Sequence, residues 1–265
     1  MTLQMNSMKH MKGLVLLLFG MLALAFFLSG CGMDNEDGLS GEGKGGSLAR
    51  FTFLKGYLYV VDESTLKTFD ISNPDNPELV GTTEIGSGVE TIFPYENYLF
   101  IGTQFGMFIY SVENNPVPIF LSNFEHSFAC DPVVVSGNTA YVTLRSGTTC
   151  QTGADRLEVI DVSNLQNPRL LKTVGMQNPH GLAVSDTVLF VCEGDYGFKV
   201  FNIKEKTNPV LIADLDSIPS YDVIANYGRK ELIITGREGI YQYDYSNPYE
   251  LQLISKILSL PADEE

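Results

Sequence analysis

A six-residue pattern of apolar and polar positions returns five times along the chain after residue 47. Each copy ends in an apolar residue, a small polar residue and another apolar residue, and the copies occupy 66–71, 107–112, 157–162, 198–203 and 240–245. The polar residues serve as markers, and they are Asp70, Ser111, Asp161, Asn202 and Asp244, separated by 41, 50, 41 and 42 residues. A period of this length is typical of propeller blades.

Each period contains four strand-like runs, which in the second repeat are 89–93, 98–103, 107–112 and 119–124. Turn residues rich in Gly, Asn and Pro separate the runs, and helical periodicity is absent after residue 30. Apolar residues occupy both faces of these strands, as expected for sheets packed between two neighbours. The pattern predicts an all-β fold, a five-bladed β-propeller of four-stranded antiparallel blades over 48–260, with an open β-solenoid as the alternative.

The marker residues are predicted to be structural. A side-chain oxygen at the end of the third strand can accept backbone N–H groups of the following turn. Seven residues after the marker stands a proline in four of the five repeats, and it favours an extended backbone before the fourth strand. We therefore expect the marker carboxylates to stabilise turns rather than to act as catalytic groups.

The first thirty residues form a targeting segment. Lys9 and Lys12 precede an apolar run over 13–28, and no acidic residue occurs in 1–30. The run is short for a spanning helix, although an uncleaved membrane anchor is the alternative. The ending Leu28-Ser-Gly-Cys31 resembles the lipobox of bacterial lipoproteins, which implies that 1–30 is a signal peptide, that Cys31 is acylated, for example with palmitate, and that the protein is held on the membrane of the cell envelope.

Residues 31–47 follow as an acidic, Gly-rich stretch and are expected to be a flexible tether. Under the lipoprotein resemblance, Gly32 rather than Asp after the cysteine favours the outer membrane. The acidic run resembles a surface-export signal in some bacterial groups, while a linker kept soluble by its charges explains it equally well.

The repeats resemble the LVIVD family of bacterial exported proteins. The name-giving motif is closest in Leu157-Glu-Val-Ile-Asp161, and the match continues through Val162-Ser-Asn164 to Pro168. The first repeat, from Asp70 to Pro77, is equally close. The resemblance implies a propeller-like lipoprotein and brings no established reaction, because fold alone does not assign one.

Charge excludes one class of partner. The chain has 32 Asp and Glu against 17 Lys and Arg, for a formal net charge of −15. Removal of 1–30, which holds two lysines and no carboxylate, leaves −17 on the exported part. Nucleic-acid binding requires clustered Lys and Arg, so it is not expected. The Gly-rich phosphate loop, the His-x-x-x-His pair and the Gly-x-Ser-x-Gly elbow are also missing.

Four ionisable residues fall in one column at the start of the first strands, which border the channel of a propeller: Glu90, Asp131, His180 and Asp222. Three interpretations remain open. The column could line a wet channel, or it could bind a divalent cation or polar ligand, because carboxylates and neutral imidazole are suitable ligands. It could also form an acidic hydrolase site like that of five-bladed glycosidases.

Cysteine placement adds one prediction. Cys130 begins the first strand of the third blade, and Cys150 lies in an insert over 146–156, which falls at the same end of that blade. In an oxidising compartment a Cys130–Cys150 disulfide would close a loop of about twenty residues and contribute about 3 kcal/mol. Cys192 is expected to pack as a small buried hydrophobe.

These observations favour a lipid-anchored binding or assembly module at the cell envelope, with no catalytic residue assigned. The docking face for a protein or polar ligand is predicted at the channel mouth, where the column and the insert meet. A metal-dependent or carbohydrate-active hydrolase and a purely structural envelope protein are the alternatives.

Overall fold

The structure is a computed structural model that describes residues 48–62, 64–125, 132–146 and 155–259. Within these ranges the chain forms twenty β-strands and no helix. None of the described segments is a helix long and apolar enough to cross a membrane. Cys31, Cys130, Asp131, Cys150 and the tether fall outside the described residues, so the predictions made for them remain predictions.

Four consecutive strands form each sheet. Blade 1 contains β1 (Phe51–Leu54), β2 (Tyr57–Asp62), β3 (Thr65–Asp70) and β4 (Glu78–Glu84). Blade 2 contains β5 (Val89–Tyr95), β6 (Tyr98–Thr103), β7 (Gly106–Ser111) and β8 (Ile119–Glu125). Blade 3 contains β9 (Val133–Ser136), β10 (Thr139–Leu144), β11 (Arg156–Asp161) and β12 (Arg169–Gly175). Blade 4 contains β13 (Leu182–Ser185), β14 (Val188–Cys192), β15 (Phe198–Asn202) and β16 (Val210–Leu215). Blade 5 contains β17 (Asp222–Asn226), β18 (Glu231–Gly236), β19 (Gly239–Asp244) and β20 (Gln252–Leu258).

Every sheet is an antiparallel meander in chain order, and the first strands contact one another from blade 1 through blade 5. The predicted five-bladed propeller of four-stranded blades is therefore confirmed. Each fourth strand carries a β-bulge opposite the end of the third strand, for example at Thr68/Phe69 and at Val159/Ile160. Bulges bend and twist the bulged strand, which suits the outer edge of a blade.

The marker residues form the turns that the sequence predicts. In each repeat the marker oxygen accepts the N–H two residues later, at 2.6–3.3 Å: Ser72 to Asp70, Glu113 to Ser111, Ser163 to Asp161, Lys204 to Asn202 and Ser246 to Asp244. Hydrogen bonds from Ser72, Ser163 and Ser246 hold the pKa of the three aspartates below its usual value. The carboxylates of these three aspartates therefore stabilise the turns, as expected from the sequence.

An aromatic side chain in the second strand of each of the first four blades packs on the next blade. These residues are Tyr59, Phe100, Tyr141 and Phe190, all nearly or completely buried. The Tyr59 hydroxyl donates to the Pro116 carbonyl at 3.0 Å, and the Tyr141 hydroxyl donates to the Lys206 carbonyl at 2.7 Å. Both acceptors belong to the loop after the marker of the following blade. We call these four residues the aromatic column.

The buried cores follow this blade-to-blade packing. One cluster joins blades 1 and 2, a second spans blades 2 to 4, and a third joins blades 4 and 5. Blades 2, 3 and 4 bury side chains on both faces, whereas blades 1 and 5 each expose one face that carries large apolar side chains. In blade 5 the residue that aligns with the aromatic column is Ile233, which is 42% exposed.

Candidate functional site

The structure describes three of the four residues of the predicted column, and all three lie at the starts of first strands. Glu90 is the bulged residue of β5, and its Oε1 accepts from Gln104 Nε2 at 3.3 Å. His180 stands two residues before β13, and Asp222 begins β17.

His180 and Asp222 are brought together by close packing of blades 4 and 5. The Gly181 N–H donates to the Tyr221 carbonyl at 2.9 Å, and the His180 ring lies 5.2 Å from the Tyr221 ring. A Cβ at position 181 would stand 2.2 Å from Asp222 Oδ1, so only glycine fits there without a shift. Gly181 thus sets the spacing between the two predicted site residues.

The backbone of His180 is held on both sides. Its N–H donates to the Cys192 carbonyl at 2.8 Å, and its carbonyl accepts from Thr143 Oγ1 at 2.7 Å. The side-chain nitrogen of Asn178, Nδ2, lies 3.3 Å from His180 Nε2. The imidazole is therefore fixed at the junction of blades 3, 4 and 5.

Arg145 occupies the space beside the His180 ring. The Arg145 Nη1 atom lies 2.8 Å from His180 Nε2 and also contacts His180 Nδ1. Burial, reinforced by the positive charge of Arg145, lowers the pKa of His180 from 6.5 to about 4. The imidazole is thus neutral at pH 7, and it accepts from the guanidinium.

Arg145 is the partly buried cation of the site. Burial lowers its pKa, while the negative charges of Asp155 and Glu90 oppose that effect. Its Nε is buried without a hydrogen-bond partner in the part of the chain that the structure describes. The predicted column contains only residues at the starts of first strands and so does not include Arg145, which directly follows the second strand β10.

Asp155 fastens the base of the insert to this site. It accepts from the Ser146 N–H at 2.7 Å, from Ser146 Oγ at 2.9 Å and from the Asn178 N–H at 3.2 Å. Asn178 is two residues from His180. The ends of the insert and the His180 column position therefore lie together, as the sequence predicts.

Two ion pairs reinforce the same end of blades 4 and 5. Lys199 pairs with the fully buried Glu193, whose other oxygen accepts from the Gln177 N–H at 2.6 Å. Arg237 of blade 5 pairs with Asp195 of blade 4. Sequence reasoning found neither pair, since each joins residues of different strands or turns.

Exposed aromatic side chains lie in turns at the same end of the blades as this cluster. Phe105 lies in the turn between β6 and β7, and Tyr196, which is 55% exposed, lies in the equivalent turn of blade 4. Strand pairing places both turns at the end of the blades where His180 stands. We call the surface formed by Phe105, Arg145, His180, Tyr196 and Arg237 the His180 rim.

The described residues offer no ready metal centre. Within them, no group of three His, Cys, Asp or Glu side chains is placed to hold a metal ion. A groove lined by residues that include Asn202, Glu205 and Tyr249 lies at the opposite, marker end of blades 4 and 5. Cys192 is buried and its thiol pKa is raised by burial, which confirms its expected role as a small buried residue.

The chemistry available at the rim is hydrogen bonding and charge pairing. A general base works best when its pKa is near the operating pH, and the lowered pKa of His180 makes the imidazole a weak base at neutral pH. Its closest charged neighbour is a guanidinium, which repels a metal ion or a proton. The arrangement suits recognition of polar groups.

Titration of His180 tests this environment. Between pH 6.5 and about 4 the unfolded chain protonates this histidine while the folded chain does not, so acid removes stability across that window. The expected loss is about 1–2 kcal/mol after solvent screening is allowed for. Histidine NMR should report a pKa of about 4, and denaturant unfolding should show the loss.

His180→Gln serves as the control, because it should flatten the unfolding profile in this window and identify the NMR signal. Arg145→Met should raise the pKa of His180, since the positive charge is removed while burial remains. A His180 pKa close to 6.5 in the wild type would contradict the described contacts.

Comparison with known proteins agrees with this fold. The LVIVD repeat family model matches residues 52–84 and 129–175, which correspond to blades 1 and 3. No curated protein matches the chain by sequence.

Solved structures similar to the chain include a protein named "putative 6-phosphogluconolactonase" from Bacteroides uniformis, with 11% identity, a TM-score of 0.63 and coverage of 78% of this chain and 70% of that chain. The computationally designed Ika8 protein has 17% identity, a TM-score of 0.57 and coverage of 78% and 60%. AztD of Citrobacter koseri has 13% identity, a TM-score of 0.58 and coverage of 77% and 61%.

The chain thus spans about 60% of the length of Ika8 and AztD. At these identities the likeness concerns the fold and assigns no activity. Together with the repeat matches, it identifies the chain as a five-bladed β-propeller that carries LVIVD repeats in its first and third blades.

Proposed function

We propose that this protein is an exported, lipid-anchored β-propeller that acts as a binding or assembly module at the cell envelope, and that a protein partner docks on the His180 rim. The observation that carries the proposal is the contact between Arg145 and His180. These two groups engage each other at the position where the sequence predicted a ligand site, and their chemistry favours recognition over catalysis.

The composition of the rim supports a protein partner. Aromatic residues and arginine are enriched at the centres of protein interfaces. The rim offers the exposed Phe105 and Tyr196 together with Arg145 and Arg237. Because Arg237 is paired with Asp195 and Arg145 is held by its neighbours, these side chains are positioned before a partner arrives, which reduces the entropy lost on binding.

Scaffold geometry also supports the proposal. The turns of the rim are held by hydrogen bonds such as Thr103 Oγ1 to the Gly106 carbonyl, at 2.9 Å, and Ser220 N–H to the Gly194 carbonyl, at 2.9 Å. A rigid β-scaffold that presents short turns at one end is a common arrangement for binding surfaces. The two ends of the insert, Ser146 and Asp155, lie beside the rim.

The proposed lipid anchor is tested at Cys31. In a bacterial host, replacement Cys31→Ser should abolish acylation at this position, because the side chain that carries the acyl group is lost. Metabolic labelling with palmitate measures this loss. Gly32→Ala is the matched control and should leave labelling intact. Labelling of Cys31→Ser at the wild-type level would contradict lipidation at this residue.

Docking at the rim is tested by site-specific photocrosslinking of the full chain in cells of its own species. A photoreactive phenylalanine analogue at Tyr196 is expected to give a discrete adduct with one protein. The same analogue at Tyr249 is the control, because Tyr249 is 61% exposed against 55% for Tyr196 and lies at the opposite end of the blades.

Charge reversal supplies the second arm of this experiment. Arg237→Glu should weaken the Tyr196 adduct several-fold, since it removes an interfacial arginine and the ion pair with Asp195. Equal adducts at Tyr196 and Tyr249, or no adduct at Tyr196, would contradict docking at the His180 rim.

A further inference from the structure

Two sheet faces of the array carry apolar side chains that no neighbouring blade covers. On blade 1, the face turned away from blade 2 bears Phe51 and Phe53, which are 53% and 36% exposed, with their rings 6.1 Å apart. On blade 5, the face turned away from blade 4 bears four isoleucines, exposed from 38% to 66%: Ile224, Ile233, Ile240 and Ile257. Contiguous exposed apolar surface of this kind is uncommon on a monomeric protein.

The exposed face of blade 5 has the pattern of a blade-to-blade interface. Strand pairing aligns Ile224, Ile233 and Ile240 with Ala183, Phe190 and Phe198 of blade 4. In blade 4 these three residues belong to the buried cluster shared with blade 5. Blade 5 therefore presents the surface that, in the preceding blade, packs against the next repeat.

The exposed face of blade 1 has the complementary pattern. Strand pairing aligns Phe51, Leu58 and Val60 with Ile92, Leu99 and Ile101 of blade 2. In blade 2 these residues are buried in the cluster shared with blade 1. Blade 1 therefore presents the surface that receives a preceding repeat.

From these two faces we infer that the protein self-associates head to tail, with blade 5 of one copy packed against blade 1 of a second copy. The proposed contact repeats the packing that joins neighbouring blades within the chain. A second copy therefore supplies the same kind of apolar sheet face that a neighbouring blade supplies. Neither this inference nor its test depends on the His180 rim, which lies at one end of the blades rather than on their faces.

The arrangement of charge on the blade 5 face agrees with an interface. Asp222, Glu231 and Asp244 lie at the ends of their strands, while Ile224 and Ile233 lie in the middle of theirs. An apolar centre within a polar rim is the usual anatomy of a protein–protein interface. Because the two faces differ, each contact is heterologous, so copies either close into a ring or continue as a chain.

The test compares the mass of the full chain in solution with that of single charge variants, by sedimentation at 1–100 μM, a range that brackets ordinary self-association. The wild type should associate. Ile233→Lys and Phe51→Lys should each weaken association about tenfold or more, because each buries a charge in the apolar contact. Leu170→Lys is the matched control, since Leu170 is 46% exposed on the outer strand of blade 3.

Mixing the two variants distinguishes head-to-tail pairing from other contacts. Ile233→Lys retains an intact blade 1 face and Phe51→Lys retains an intact blade 5 face, so differently tagged copies should pair with each other although neither pairs with itself. Unfolding curves check that both variants fold. Three results would overturn the inference. The wild type could stay monomeric at 100 μM, Leu170→Lys could associate as weakly as the two face variants, or the mixture of the two face variants could fail to pair.

Discussion

Packing of each blade against the next is the interaction on which the rest of the structure depends. A four-stranded sheet exposes two faces, and in blades 2 to 4 both are buried by neighbouring sheets. Tyr59, Phe100, Tyr141 and Phe190 lie at the centre of these contacts. Because each blade packs mainly against its neighbours, stability is close to a sum of repeat and nearest-neighbour terms, as in other repeat proteins. The end blades lack one such neighbour within the chain.

The same packing positions the candidate site. Blades 3, 4 and 5 meet at His180, where Thr143, Cys192 and Tyr221 hold its backbone and ring. The buried ion pair of Glu193 with Lys199 supports the turn beside it. Burying a charge costs free energy unless a partner compensates it, so these pairings fix one arrangement of the rim. The rim is therefore preorganised, as the proposed binding function requires.

The repeat architecture could be predicted from the sequence because the marker turn is a local device. Asp161 accepts the N–H of a residue only two positions away, so its pattern is visible in the chain itself. The contact between Arg145 and His180 could not be predicted in this way. Those residues are 35 positions apart, and the packing of blade 3 against blade 4 brings the guanidinium onto the ring.

The exposed end faces illustrate the same difference. Ile233 and Ile240 have the hydrophobicity of core residues, and from sequence they cannot be told apart from the buried residues that they align with in blade 4. What distinguishes them is the position of their blade at the end of the array. The sequence pattern therefore reports which faces are apolar, and the structure reports which of those faces are covered.

The free energy of unfolding of one alanine series tests most directly whether blade-to-blade packing holds the array together. In dilute protein, Tyr59→Ala, Phe100→Ala, Tyr141→Ala and Phe190→Ala should each cost about 3–5 kcal/mol, because each opens a cavity between two blades. Ile233→Ala, at the aligned position of blade 5, should cost less than about 1 kcal/mol, because that side chain is exposed. Equal losses at all five positions, or losses below about 1 kcal/mol in the aromatic column, would contradict the account.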